Sequence, residues 1–284
     1  MSHADTFRAL AVMCEAPTVE HEPIAHALGL TLPSRAEHTE VFSLQVYPYA
    51  SVYLGAEGML GGEARDRVGG FWRAIGLVPP AELDHLAALL GLHAALIDAD
   101  APLHARSALL WEHLLTWIPV MADTVVRTTS GTYAQWAAQL LDVLLEEAAT
   151  HPLEGPAPLH FRMAPALPDF ERDPKGAVNG FLAPVRTGMV LTRADLARAA
   201  EEMGLGLRQG ERRFVLNALL TQDAHATFAW LADHARATAA RIRRLESTLG
   251  VIARFWVERA DAAAGLLQRC SAAAGEVVAS AARG

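Results

Sequence analysis

The side chains best equipped for chemistry lie together in PPAELDHLAALLGLH, residues 79–93. Here Glu82, Asp84 and His85 place two carboxylates and an imidazole almost side by side. Carboxylates accept a guanidinium fork through paired hydrogen bonds, and an imidazole changes charge near neutral pH. Proton transfer between Asp84 and His85 is poorly served, because sequence neighbours on a helix do not face one another. A purely structural reading also covers these residues. Acidic side chains suit the positive end of a helix, and Leu86, Leu89, Leu90 and Leu92 give it a broad apolar side. Pro80 suits a first helical turn, so a helix is predicted to start there, with Glu82 and Asp84 in its first turn.

Other chemistries find little support. The 12 histidines include no HExxH pair, and Glu112-His113 lacks a second histidine one turn on. There is no nucleophile elbow and no phosphate-binding loop. Gly204, Gly206 and Gly210 follow a helical pattern rather than a strand, which removes a dinucleotide reading. Cys14 and Cys270 show no CxxC spacing and fit a reducing compartment without disulfides. The pairs Arg212-Arg213 and Arg243-Arg244 sit in amphipathic patterns and read as solvated helix faces. No metal, no cofactor and no catalytic residue is therefore expected. A small hydrolase using Asp84 and His85 is the enzymatic alternative, and it lacks an identifiable nucleophile.

Positioning these residues falls to helices. Alanine, leucine, arginine and glutamate dominate the chain, all strong helix formers. Helices are expected over 4–15, 18–28 (with Gly29 as its cap), 63–75 and from Pro80. A further run carries Leu110, Trp111, Leu114, Leu115 and Ile118 and ends or kinks at Pro119. Ser130 is a candidate cap for the next. Residues 31–60 are less regular, read as a short helix and then a loop broken by Pro48, Gly55 and Gly58. Seven of the 15 prolines fall between His151 and Pro184. The expected fold is all-α, a bundle of about ten helices, with an N-terminal part over 1–150, a proline-rich linker or hinge over 151–190 and a C-terminal helical part over 191–284.

Charge is uneven. Residues 1–160 carry 7 basic and 19 acidic side chains, and residues 161–284 carry 17 and 13. An acidic first half argues against nucleic acid and suits a cationic partner. Tyr47, Tyr49, Tyr53, Phe71, Trp72, Trp111 and Trp117 all lie in that half. Aromatic walls beside carboxylates suit a short segment with arginines and apolar residues; most of these rings would equally fill a core. No run of about 20 apolar residues is present to span a membrane. The N-terminus has no signal-peptide pattern, so a cytoplasmic location is expected.

Four segments carry a resemblance. Glu82-Leu-Asp84-His85-Leu86 resembles the Glu-Pro-x-Asp-His signature of the TorD/DmsD/NarJ family, the maturation chaperones of molybdoenzymes. Tyr49-Ala-Ser-Val-Tyr53-Leu54-Gly55 resembles the upstream aromatic loop of that family. Asp66-Arg-Val-x-x-Phe71-Trp72-Arg73 resembles its following helix, and His113-Leu-Leu-Thr-Trp117-Ile-Pro119 its His-Leu-x-x-Trp-x-Pro helix end. Leu83 stands where the family commonly has proline, and residues 183–196 carry no recognisable motif. The resemblance implies a cytoplasmic chaperone, not an enzyme. It would bind the twin-arginine signal peptide of a catalytic subunit of a molybdenum oxidoreductase of the DMSO or nitrate reductase type. It would hold that subunit for molybdopterin insertion and assembly before export. Carried onto this sequence, the peptide-binding residues would be Glu82, Asp84 and His85, with Tyr49, Tyr53 and Trp72 lining an apolar pocket. His113 and Trp117 would be structural. An assembly factor that binds a folded redox subunit without reading its signal is the alternative. A monomer and a domain-swapped dimer both fit.

Overall fold

The computed structural model describes residues 1–153, 155–170 and 172–281. Residues 154, 171 and 282–284, which fall in the expected connection and C-terminal part, lie outside the described residues. Among the described residues the chain is all-α, with 17 α-helices and no strand. Nine of these have ten or more residues, close to the expected number; the other eight are short, of four to eight residues. The chain divides into two compact units. One comprises Met1–Gly55, Met59–Met163 and Ser247–Ile252; the other comprises Ala56–Gly58, Ala164–Glu246 and Ala253–Gly284.

The first unit contains α1 (His3–Val12), α2 (Glu22–Ala27), α3 (Arg35–His38), α4 (Ala50–Leu54) and α5 (Gly62–Ala74). These are followed by α6 (Leu86–Asp98), α7 (Leu103–Ala108), α8 (Ile118–Thr128), α9 (Thr132–Thr150) and α10 (Leu159–Arg162). α1 packs along α6, and α8 along α9. Their apolar faces meet in a core containing Phe7, Leu10, Leu86, Leu89, Leu90, Trp117 and Trp136, all essentially solvent-free. The Trp136 indole N–H donates to the Leu10 carbonyl at 3.0 Å, satisfying the one polar atom of a ring that the core otherwise holds by apolar contact.

Three local readings of the sequence differ from this unit. Residues 50–54, expected within a loop, form α4. The helix expected to start at Pro80 starts at Leu86 instead. Pro119 lies in the first turn of α8 rather than ending a helix, the position where a missing N–H is harmless. The stretch before it, Leu109–Leu114, is π-helical and buries Trp111 and His113.

The second unit contains α11 (Pro174–Phe181), α12 (Pro184–Thr187), α13 (Arg193–Glu202), α14 (Arg212–Gln222) and α15 (Ala224–Arg243). α16 (Glu246–Leu249), which from Ser247 belongs to the first unit, and α17 (Val251–Ala281), which belongs to the second from Ala253, complete the chain. Phe181, Met189, Leu191, Leu196, Leu216, Phe228, Leu231 and Leu267 form one buried cluster here. The motif-free segment 183–196 therefore has a structural role. Gly188 turns the chain at φ +68°, where a side chain would stand 2.5 Å from the Ala260 nitrogen and 2.6 Å from the Trp256 carbonyl oxygen of α17. Thr192 then caps α13 in a reciprocal box with Asp195, both buried.

Candidate functional site

The Glu82–His85 segment is placed by long-range backbone pairing that local sequence pattern does not reveal. Tyr49 and His85 form an isolated antiparallel bridge. The Ala50 N–H donates to the Asp84 carbonyl at 3.0 Å, and the Leu86 N–H to the Pro48 carbonyl at 2.8 Å. His85 is thereby extended, at φ −69° and ψ 142°, and serves as the N-cap of α6. Its Nδ1 accepts from the Ala87 N–H at 3.2 Å. That is why the helix begins at Leu86, with Glu82 in the turn ahead of it and the prolines before that turn.

Asp84 is buried, at 2% exposure. One carboxylate oxygen accepts the Ser51 N–H at 3.0 Å, in the first turn of α4. Tyr49, at the N-cap position of α4, offers no side-chain cap of its own. Asp84 thus caps α4 from a distance of more than thirty residues, satisfying a donor that every helix start leaves open. Its other oxygen lies 3.8 Å from Arg65 Nε on α5. Arg65 also donates to the Ala81 carbonyl at 2.9 Å, tying α5 to the signature loop. Trp72, one further element of α5, donates its indole N–H to the Leu83 carbonyl at 3.1 Å.

Around this framework the charged groups gather. His85 is half-buried, and its Nδ1 stands 3.8 Å from Glu15 Oε1, just beyond the end of α1. Glu82 and Glu15 are exposed. The Tyr49 ring meets the His85 ring edge-on at 4.8 Å. Burial, followed by the Glu82 carboxylate, pushes the Tyr49 hydroxyl up to about 12, so it remains a neutral donor. Burial lowers the His85 imidazole below its usual range, while Glu15, Glu82 and Asp84 pull the other way. Glu15, Glu82 and Asp84 against one guanidinium, Arg65, leave the cluster negative when His85 is neutral.

The six residues expected at this site divide into two sets. Glu82, Asp84, His85 and Tyr49 come together. Trp72 and Tyr53 lie inside the unit, at 8% and 1% exposure. Tyr53 stacks on Trp117 at 5.3 Å, and the Trp117 indole donates to the His113 carbonyl at 2.7 Å. Glu15, Ser51 and Arg65 were missed in the sequence. Glu15 follows a helix far upstream, and no spacing rule connects it to His85. Ser51 lies inside the Tyr49–Gly55 motif and Arg65 immediately precedes the Asp66-Arg-Val motif, so both stood beside a sequence signal.

Two further titratable clusters lie in this unit. His113 and His160 are buried with ring centroids 5.7 Å apart, and His113 Nδ1 and His160 Nε2 have no hydrogen-bond partner. Burial holds His113 down at about 4; burial and the neighbouring His113 and Arg67 hold His160 at about 3. On α9, the shielded Glu147 carboxylate accepts from His3 at 2.5 Å and faces His93 at 3.5 Å and His151 at 3.8 Å. Burial works against its charge, but His93 and His3 hold it at about 2. Among the described residues no group of three or more His, Cys, Asp or Glu is arranged to hold a metal ion. Nor is any helix there long and apolar enough to cross a membrane.

Residues 31–123 match the family described as nitrate reductase delta subunit. Over that segment, about a third of the chain, the sequence is similar to NarJ/TorD-type chaperones. The matched segment runs from the loop before α3 into α8, and so contains Tyr49, Ser51, Arg65, Glu82, Asp84 and His85. That family is one of molybdoenzyme maturation chaperones and assembly factors. No curated protein matches the sequence significantly.

Proposed function

We propose that this chain is a cytoplasmic chaperone that binds the arginine-bearing N-terminal signal segment of a molybdopterin-dependent oxidoreductase subunit. It holds that subunit for cofactor insertion and assembly before export. The observation that carries this reading is the excess of carboxylate around His85. Glu15 and Glu82 are exposed and so accessible to guanidinium groups, whereas Asp84 is committed to Ser51 and Arg65. Paired carboxylates favour arginine over lysine because the fork is planar and bidentate. The half-buried Tyr49 ring, against His85, adds an aromatic group to which a guanidinium is attracted. Trp72 and Tyr53 act beneath the site, Trp72 by fixing the Leu83 carbonyl and Tyr53 by stacking in the core.

Protonating His85 would reduce the negative charge of the cluster, so binding should weaken on acidification. Solution binding of a fluorescent twin-arginine peptide tests the assignment. The double variant Glu15→Gln, Glu82→Gln should weaken binding by about tenfold or more, with most of the salt dependence lost. Unchanged affinity in that variant would remove the site from consideration.

A further inference from the structure

The second unit holds a separate cavity of about 580 Å³, within the range typical of small-molecule sites. It lies between the start of α15, the later turns of α17 and the segment Leu167–Phe170. Leu167, Phe170, Phe228 and Leu266 line it together with the small side chains of Ala273 and Ala274, and it is about half open to solvent. Phe170 meets Phe228 edge-on at 5.1 Å, which fixes one wall.

Two charged residues line the cavity. Asp169 faces Arg172, Nε to Oδ2 at 3.7 Å, and also accepts the Arg172 N–H at 3.1 Å. Its charge is thereby balanced locally. Arg269 is exposed and has no ion-pair or hydrogen-bond partner among the described residues. A half-open apolar pocket with one unbalanced guanidinium is complementary to a molecule with an apolar tail and an anionic head. From this complementarity we infer that the cavity binds a free anionic amphiphile, with its alkyl chain against Phe170, Phe228 and Leu266 and its carboxylate on Arg269. The site is independent of the acidic cluster around His85 and requires nothing of it.

Isothermal titration of the full chain with dodecanoate tests this, with dodecyltrimethylammonium as the matched cation and anionic phospholipid vesicles as a third arm. The expected result is saturable binding of one dodecanoate per chain, with the cation at least about tenfold weaker. Arg269→Glu should lower dodecanoate affinity by a similar factor and improve that of the cation. Ala274→Trp, which puts a bulky ring on the lining, should abolish both while leaving the helical circular dichroism spectrum unchanged. Absence of saturable dodecanoate binding would overturn the inference. So would equal affinity for anion and cation, indifference to Arg269→Glu, or binding confined to vesicles.

Discussion

Protonation of two buried histidines should make the first unit acid-labile. His113 and His160 are neutral when folded, held at about 4 and about 3, against an ordinary value of 6.5. As pH falls below 6.5 the unfolded chain takes up both protons and the folded chain takes neither. Stability is therefore present above 6.5 and is lost progressively as pH falls toward 4. At pH 5, with about 1.4 kcal/mol per unit, each ring costs about 2 kcal/mol, or roughly 4 kcal/mol for the pair. A domain has only about 5–15 kcal/mol in total, so the melting temperature should drop on the order of 10 °C between pH 7.5 and pH 5. The double variant His113→Leu, His160→Leu removes the titrating rings along with their unpartnered nitrogens, which makes it tolerable at pH 7.5. Thermal melts of both proteins at pH 7.5, 6 and 5 measure the difference, because titration of all other groups is common to them. The variant should lose much less on acidification than the parent. Parallel losses in the two proteins would refute the role given to this pair.

Three further outcomes follow from the geometry. Gly188→Ala places a Cβ in the left-handed region and against the backbone of α17, and should cost several kcal/mol, about 1–2 from the backbone conformation and the rest from the clash, seen as a lower melting temperature. Asp84→Ala strips the Ser51 N–H of its acceptor and Arg65 of its counter-charge, for about 1–3 kcal/mol; Asp84→Asn keeps an acceptor and should lose less in urea unfolding. Glu147 stabilises the fold above its unfolded value of 4.5, and that contribution disappears as pH falls toward about 2; Glu147→Gln should thus lower the urea midpoint at pH 7, and an unchanged midpoint would contradict the pairing with His3 and His93.

Helical class and most long helices could be read from local composition, because α5, α9 and α15 carry their apolar period within their own residues. The signature residues were legible as a group, since Glu82, Asp84 and His85 are adjacent. Their roles were not. The start of α6 is set by the bridge from Tyr49 to His85, and Asp84 is turned inward by Ser51, both across more than thirty residues. Pro80 was a sound local start signal overridden by that pairing. Glu15 joins the site only because α1 packs along α6. Conversely, Tyr53 and Trp72 had the right residue type for a groove wall, but an aromatic ring in sequence does not disclose which side of its helix faces the core.

The most direct test of signal-segment binding is calorimetric titration of the chain with a twin-arginine peptide from a molybdoenzyme encoded nearby. The same peptide with both arginines replaced by alanine serves as the control. Micromolar binding that weakens with salt and vanishes in the control is the expected result. Equal binding of both peptides, or binding of neither while the client subunit lacking its N-terminal segment is still captured, would contradict it.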